Sequence, residues 1–188
     1  EGKGKGHTSQ YANFGSLHVM RAYKNEAKAE KTLSAKGVDF FIAKIYAVRT
    51  VHGKTEKKRC LVPAIPGIVF VHASHTELIQ FKKTHNFLQF VTTRNSGMTD
   101  YLIVPEKQMN DFIKVAGKYE EKLTYFSPDE IQLEKGTRVR IHGGVFDGVE
   151  GTLLKIKGKR SRRIVVAIDN VSAVAISEVT PDLIEVLG

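Results

Sequence analysis

Short runs of alternating apolar and polar residues fill much of residues 16–104, and these runs predict β-strands. Leu17 and Val19 alternate with polar neighbours in 16–23, and β-branched and aromatic residues are concentrated in 38–51. The continuous apolar run 67–71 (GIVFV) is typical of a central strand. Further strands and the turns between them are predicted at 57–63, 87–93 and 101–104, and at 52–54 and 95–97.

Three segments carry helix signals. The run 25–36 (NEAKAEKTLSAK) favours a helix that Gly37 closes. Ser74 and Glu77 form a capping-box pattern that opens a second helix. Pro105 begins the third, whose apolar residues recur at helical spacing and are expected in the core: Met109, Phe112, Ile113 and Ala116.

The C-terminal third contains a glycine-punctuated segment, 136–151, with the sequence GTRVRIHGGVFDGVEG. Four glycines are predicted at a tight β corner, where positive φ or close backbone approach favours this residue: Gly143, Gly144, Gly148 and Gly151. Phe146 supplies an apolar anchor between them. The β-branched density of this region predicts five short strands, at 137–142, 151–156, 163–169, 173–178 and 183–186.

Length and composition fit one globular domain or two small ones, since the chain has 188 residues and 41% hydrophobic residues. No run of 18 apolar residues exists, so we expect no membrane span. Residues 1–15 lack the apolar segment of a secretory signal and are interpreted as a flexible leader. Cys60, the single cysteine, fits a reducing compartment, and we expect a cytoplasmic protein.

The distribution of charge predicts both a partner class and a domain boundary. The net charge of +9 indicates a polyanionic partner. Residues 119–134 are acidic, in contrast to both flanks, and mark a linker. The predicted organisation is therefore a leader (1–15), a larger domain (16–118), the linker (119–134) and a small domain (135–188).

The segment 136–151 resembles a KOW motif, and the element order before it resembles an NGN domain, the pair found in the NusG family of transcription elongation and antitermination factors. The NGN resemblance includes Pro66-Gly67 within AIPGIVFV, Arg94 and the 103–105 entry to the last helix. The KOW positions that match are Gly136, Val139, Ile141, Gly144, Phe146, Gly148 and Gly151. The resemblance covers roughly residues 16–187. In its leader and its lack of a large insertion, the chain resembles specialised family members of the UpxY type.

This resemblance implies an α+β fold: an NGN sandwich of an antiparallel sheet with flanking helices, followed by a small SH3-like KOW β-barrel. It implies a monomeric factor whose NGN domain binds the clamp helices of the largest RNA polymerase subunit. Its KOW domain would recruit a ribosomal protein, a termination factor or an RNA factor. The implied polymerase-binding residues are Leu17, Ile65, Pro66, Gly67 and Ile68. Isoleucine stands where the family has aromatics at 65 and 68, so the pocket offers apolar area without aromatic anchors.

Two basic features suit nucleic acid. Lys24, Lys28 and Lys31 recur at helical spacing beside Arg21, and in the family this face lies near non-template DNA. The alternative is a solvated helix face. The second feature, 155–163 (KIKGKRSRR), predicts a basic hairpin tip that contacts nascent RNA or the ribosome, or else a solubilising sheet edge. The tip cations are Lys157, Lys159, Arg160, Arg162 and Arg163.

Other chemistries lack the required patterns. The seven histidines show no metal-ligand spacing, and Gly53-Lys54-Thr55 lacks the first glycine of a P-loop. Cys60 has no paired motif, and no carboxylate pair suits acid–base catalysis. We therefore expect no catalytic residue, metal or cofactor. The alternative hypothesis is that the chain is a ribosome- or rRNA-associated KOW protein. A third hypothesis is an enzyme that processes RNA or DNA.

Overall fold

A computed structural model describes residues 16–50, 57–95, 97–119, 122–130, 132–156, 162–176 and 181–188. Its first part alternates strands and helices. These are β1 (Ser16–Arg21), α1 (Glu26–Ala35), β2 (Asp39–Phe41), β3 (Lys44–Thr50), β4 (Lys57–Pro63), β5 (Ile68–Ala73), α2 (His75–Thr84), β6 (Gln89–Phe90), β7 (Thr92–Asn95), β8 (Met98–Tyr101), β9 (Ile103–Val104) and α3 (Glu106–Ala116).

A central antiparallel sheet has the order β2-β5-β1-β6, with β9 also paired to β1. Because side chains alternate along each strand, the two faces of the sheet pack against different helices. Met20 and Val69 face Leu33 of α1 and Leu78 of α2. Val19 and Phe70 contribute to a second core with α3, which buries its Met109, Phe112 and Ala116 as expected and leaves Ile113 half-buried.

The helix signals are confirmed. Glu77 N–H donates to Ser74 Oγ at 3.2 Å, and Ser74 N–H donates to a Glu77 carboxylate oxygen at 2.8 Å, which is the predicted capping box. Gly37 follows α1 with φ +66°, the left-handed conformation that ends many helices.

Several predicted strands are shorter or divided. The segment 38–51 forms two strands, because buried Ile42 and Ala43 join different cores and the chain leaves the central sheet there. β3 and β4 form a separate two-stranded ribbon, and β7 and β8 another. The predicted hairpin tip 52–54 lies outside the described residues. β1 ends at Arg21, so Tyr23 lies in a turn and not in the strand.

The C-terminal part is a six-stranded antiparallel sheet of order β10-β14-β13-β12-β11-β15. Four short 3-10 turns connect or precede its strands. The strands are β10 (Leu123–Phe126), β11 (Thr137–Ile141), β12 (Glu150–Lys155), β13 (Arg162–Ile168), β14 (Ser172–Ile176) and β15 (Ile184–Val186). The predicted fold class, an α+β NGN-type sandwich followed by a small KOW-type β unit, is confirmed.

One strand of this sheet, β10, falls inside the predicted linker 119–134. It pairs with β14 from Leu123 opposite Ile176 to Phe126 opposite Ala173. The Ser172 hydroxyl also donates to Phe126 O at 3.0 Å. The domain boundaries themselves stay a prediction.

Helix α3 lies between the central sheet and the C-terminal sheet, which share one apolar core. The Phe112 ring lies 5.9 Å from the Phe70 ring on one side and 6.4 Å from the Tyr125 ring on the other. Polar contacts flank this packing: Lys107 Nζ lies 2.9 Å from a Glu150 oxygen. Removing α3 would therefore expose apolar residues of both sheets.

Candidate functional site

The turn between β4 and β5 carries Ile65, Pro66 and Gly67 and is tied to the first helix. Gly67 has φ +77°, a left-handed conformation that glycine adopts without steric cost. Its N–H donates to Glu26 Oε1 at 2.6 Å, and its carbonyl accepts from Ala22 N–H at 2.7 Å. The turn is thus held against the start of α1 by two hydrogen bonds.

The five residues predicted to bind polymerase differ in exposure and position. Pro66 is exposed, Ile65 and Gly67 are half-buried, and Leu17 and Ile68 are only 7% and 8% exposed. Ile68 pairs with Arg21, whereas Leu17 pairs with His72 at the other end of β5. The two pairs are four residue steps apart along β1, a distance of roughly 13 Å. The structure brings residues 65–68 together and leaves Leu17 apart from them in the core.

Of the basic residues predicted to face non-template DNA, only Lys28 and Lys31 lie on α1, because α1 begins at Glu26; the prediction that Lys24 lies on the helix is wrong, since Lys24 lies in the turn that follows β1. Arg21, Lys24, Lys28 and Lys31 are all exposed. The two carboxylates of α1 have other partners: Glu26 accepts from Gly67 N–H, and Glu30 pairs with Lys44 Nζ at 2.6 Å. Within the described part of the chain, no carboxylate forms an ion pair with any of the four cations. The four exposed cations therefore outnumber the two carboxylates of α1, and Glu30 already pairs with Lys44.

Sequence reasoning missed two residues beside this surface. Glu26 lies 41 residues before Gly67, and a helix-forming run gives no sign of that contact. The strand predicted over 16–23 wrongly includes Tyr23, which is 60% exposed in the turn before α1. The following Lys24-Asn25 pair was the available signal, because asparagine favours turns and helix starts.

The glycine-rich segment 136–151 shapes the C-terminal sheet. Gly143, Gly144 and Gly148 have φ of +83°, +69° and +76°. Gly151 instead allows close packing, since a Cβ there would lie 2.8 Å from Val165 O. The positions that supply buried apolar anchors are Val139, Ile141 and Phe146. Gly136 is a second close-approach position, facing the Thr152 methyl.

An ionic network crosses the outer face of this sheet. Glu150 contacts Arg140 at 2.8 Å and Lys107 of α3 at 2.9 Å, and these hydrogen bonds lower the pKa of Glu150. Glu185 contacts His142 at 2.8 Å, and that hydrogen bond lowers the pKa of Glu185. Through Lys107, the network connects α3 to the C-terminal sheet by an ion pair with Glu150.

The predicted basic tip is only partly described. Arg162 is exposed and Arg163 half-buried at the start of β13. Lys157, Lys159 and Arg160 lie outside the described residues.

A histidine-centred aromatic cluster lies at the N-terminal end of α2. His18 is buried, and neither ring nitrogen has a hydrogen-bond partner among the described residues. Its ring centroid lies 5.8 Å from that of His75 and 5.7 Å from that of Phe90. Burial, and secondly the proximity of His75, lower the pKa of His18. The folded chain therefore favours neutral His18.

The described residues contain no group of three or more His, Cys, Asp or Glu side chains arranged to hold a metal ion. Half-buried Cys60 lies on the β3–β4 ribbon, with Sγ 3.7 Å from Ala47 O. Among the described helices, none combines the length and apolar character needed to cross a membrane.

Comparison with known proteins supplies one family match. Residues 17–113 match the family model described as transcription termination factor NusG. A solved structure, from work on domain interaction in Thermotoga maritima NusG, is 21% identical in sequence; the match covers 91% of this chain and 96% of that one with a TM-score of 0.42. Curated protein sequences give no match.

Proposed function

The chain belongs to the NusG family of transcription factors, and we therefore propose that it binds elongating RNA polymerase and suppresses pausing or termination. The single observation that carries the proposal is the family match over 17–113, just over half of the 188 residues. Members of this family interact with RNA polymerase and are not catalysts. The proposed factor acts as a cytoplasmic monomer without metal or cofactor.

The proposed polymerase contact is the turn at residues 65–67. Exposed Pro66 and half-buried Ile65 offer apolar surface to the clamp helices of the largest subunit. Ile68, which directly follows this turn, supports the surface from the core because its side chain is buried, whereas Leu17 lies apart from the turn. Two hydrogen bonds, from Gly67 N–H to the Glu26 carboxylate and from Ala22 N–H to the Gly67 carbonyl, would fix the turn before binding, which lowers the entropy lost on association.

The proposed nucleic-acid contact is the surface formed by Arg21, Lys24, Lys28 and Lys31. Its cations lack ion-pair partners among the described residues, which suits phosphate contacts with non-template DNA. The KOW segment 136–151 and the 157–163 tip would recruit a ribosomal protein, a termination factor or nascent RNA.

Capture experiments test the proposal against the ribosomal alternative. Immobilised full-length chain should retain RNA polymerase from its own organism, and Ile65→Asp should weaken retention by at least about 30-fold, since an unpaired charge would be desolvated in an apolar contact at a cost of about 2–3 kcal/mol. Val186→Asp is the matched control, because it places the same charge at an exposed apolar residue of β15. Retention of ribosomal subunits without polymerase would contradict the proposal and favour the alternative.

A further inference from the structure

The turn between β1 and α1 holds an exposed aromatic ring on an unfavourable backbone. Tyr23 and Lys24 have φ of +44° and +68°, a left-handed region that residues with a Cβ rarely adopt. The Tyr23 side chain is 60% exposed, so burial of the ring does not account for this conformation. Strained residues with little packing benefit are often found at binding sites, where the conformation serves the ligand.

Three hydrogen bonds hold the turn in place. Asn25 N–H donates to Ala22 O at 2.8 Å, and the Asn25 side-chain amide donates to Tyr23 O at 3.2 Å. Ala22 N–H donates to Gly67 O at 2.7 Å, which connects the turn to the proposed polymerase contact. The ring is therefore presented to solvent from a fixed backbone.

The ring stands at one end of the positive surface. The Arg21 guanidinium carbon lies 6.0 Å from the Tyr23 ring centroid, at the edge of cation–π range. Lys24 follows directly, and Lys28 and Lys31 continue along the helix. The nearby Glu26 and Glu30 carboxylates are occupied by Gly67 N–H and Lys44. A planar π surface beside the Arg21 guanidinium, directly before Lys24 and the helix that carries Lys28 and Lys31, matches a ligand that carries both bases and phosphates.

We propose that Tyr23 is a stacking platform for an unpaired base of single-stranded nucleic acid, whose adjacent phosphates contact Arg21 and the lysines of α1. Duplex bases cannot use the ring, because their faces are covered by neighbouring base pairs. This assignment rests on the proposed function, since it adds a base-contacting residue to the proposed nucleic-acid surface. An apolar contact of Tyr23 with polymerase protein is the competing outcome.

Fluorescence anisotropy with a labelled oligodeoxythymidine of about twelve nucleotides tests the assignment on the full chain at low salt. Tyr23→Ala should bind about 5- to 150-fold more weakly, which is the range for loss of one base–aromatic stack. Tyr23→Phe, the matched control, keeps the ring and should bind within about twofold of wild type. The salt dependence of Tyr23→Ala should equal that of wild type, because no phosphate contact is removed.

An abasic oligomer of equal length separates stacking from charge. Wild type and Tyr23→Ala should bind it equally, since it offers phosphates without bases. A second variant, Tyr23→Gly, should lose the same affinity for oligodeoxythymidine while its melting temperature stays at or above that of wild type, because glycine relieves the left-handed strain.

Three results would overturn the assignment: no binding of oligodeoxythymidine by wild type, unchanged affinity in Tyr23→Ala, or an equal loss on the abasic oligomer. Polymerase capture provides the separate readout for the proposed function. Tyr23→Ala should still retain polymerase, and its failure to do so would favour the protein contact instead. If wild type does not retain polymerase but the oligonucleotide results are as predicted, only the polymerase proposal is rejected.

Discussion

Gly151→Ala should destabilise the C-terminal sheet more than Gly144→Ala, although both glycines belong to the KOW pattern. A Cβ on Gly151 would lie 2.8 Å from both Ile164 Cγ2 and Val165 O. Ile164 Cγ2 can move only through a χ1 change of a buried side chain, and Val165 O belongs to the backbone of the paired strand β13. Relief therefore requires a shift of β12 relative to β13, and overpacking of this kind costs about 1–3 kcal/mol.

Gly144 provides the contrasting case. Its φ is +69°, but nothing lies within 4 Å of an added Cβ. Alanine there pays only for the left-handed backbone, about 1 kcal/mol, part of which is offset by a stiffer unfolded chain. Asparagine tolerates that conformation and should restore part of the loss at Gly144, yet Gly151→Asn should be at least as damaging as alanine.

Denaturant unfolding of the full chain, followed by circular dichroism, gives the free-energy differences. The chain contains no tryptophan, so circular dichroism is the better probe. An unfolding free energy for Gly151→Ala within about 0.5 kcal/mol of wild type would refute the packing argument. Partial recovery of stability by Gly151→Asn would show that backbone conformation, not close approach, selects glycine at that position.

Three other predictions concern buried polar groups and the extent of the C-terminal unit. The lowered pKa of His18 keeps its ring neutral in the folded chain, so protonation below about pH 6.5 favours the unfolded chain. The unfolding free energy should therefore fall as the pH drops below about 6.5, by up to about 1.36 kcal/mol for each unit by which the pKa is lowered. His18→Leu should flatten this pH dependence in unfolding experiments at a series of pH values. An unchanged pH dependence in His18→Leu would contradict this. Burial raises the pKa of the Tyr125 hydroxyl, which has no hydrogen-bond partner among the described residues. Tyr125→Phe should therefore leave the unfolding free energy unchanged or raise it by about 1 kcal/mol in denaturant unfolding. A clear decrease in the unfolding free energy would show that the hydroxyl has a partner. The unfolding free energy of fragment 119–188 should exceed that of 135–188 by about 2 kcal/mol in denaturant unfolding, since only the longer fragment contains β10; equal free energies would make β10 dispensable.

Local chemistry made much of the fold predictable. The Ser74–Glu77 capping box and the glycine corner at 143–148 depend on residues within a few positions of one another, and both form as expected. The apolar stripe of α3 was likewise readable as core, because helical spacing determines which residues share a face. The helical spacing of these residues could not show that α3 contacts two sheets.

The missed features depend on contacts between distant segments. The Glu26–Gly67 bond joins residues 41 positions apart, and the burial of Ile68 depends on a core to which both α3 and the C-terminal sheet contribute. The strand β10 was hidden by the acidic residues around it, although Leu123 to Phe126 pair along β14. The sequence predicted the basic residues around the first helix and the apolar turn at 65–67. The exposure of the Tyr23 ring depends on the left-handed backbone of its turn, which the sequence did not indicate.

The central claim, that this chain acts on elongating RNA polymerase through the turn at 65–67, is tested most directly by single-round transcription with the polymerase of its own organism. Wild type should increase the fraction of transcripts that pass a pause or terminator, Val186→Asp should do the same, and Ile65→Asp should leave read-through at the level without factor. Equal read-through with wild type, with Ile65→Asp and without factor, at concentrations that saturate polymerase, would contradict the account.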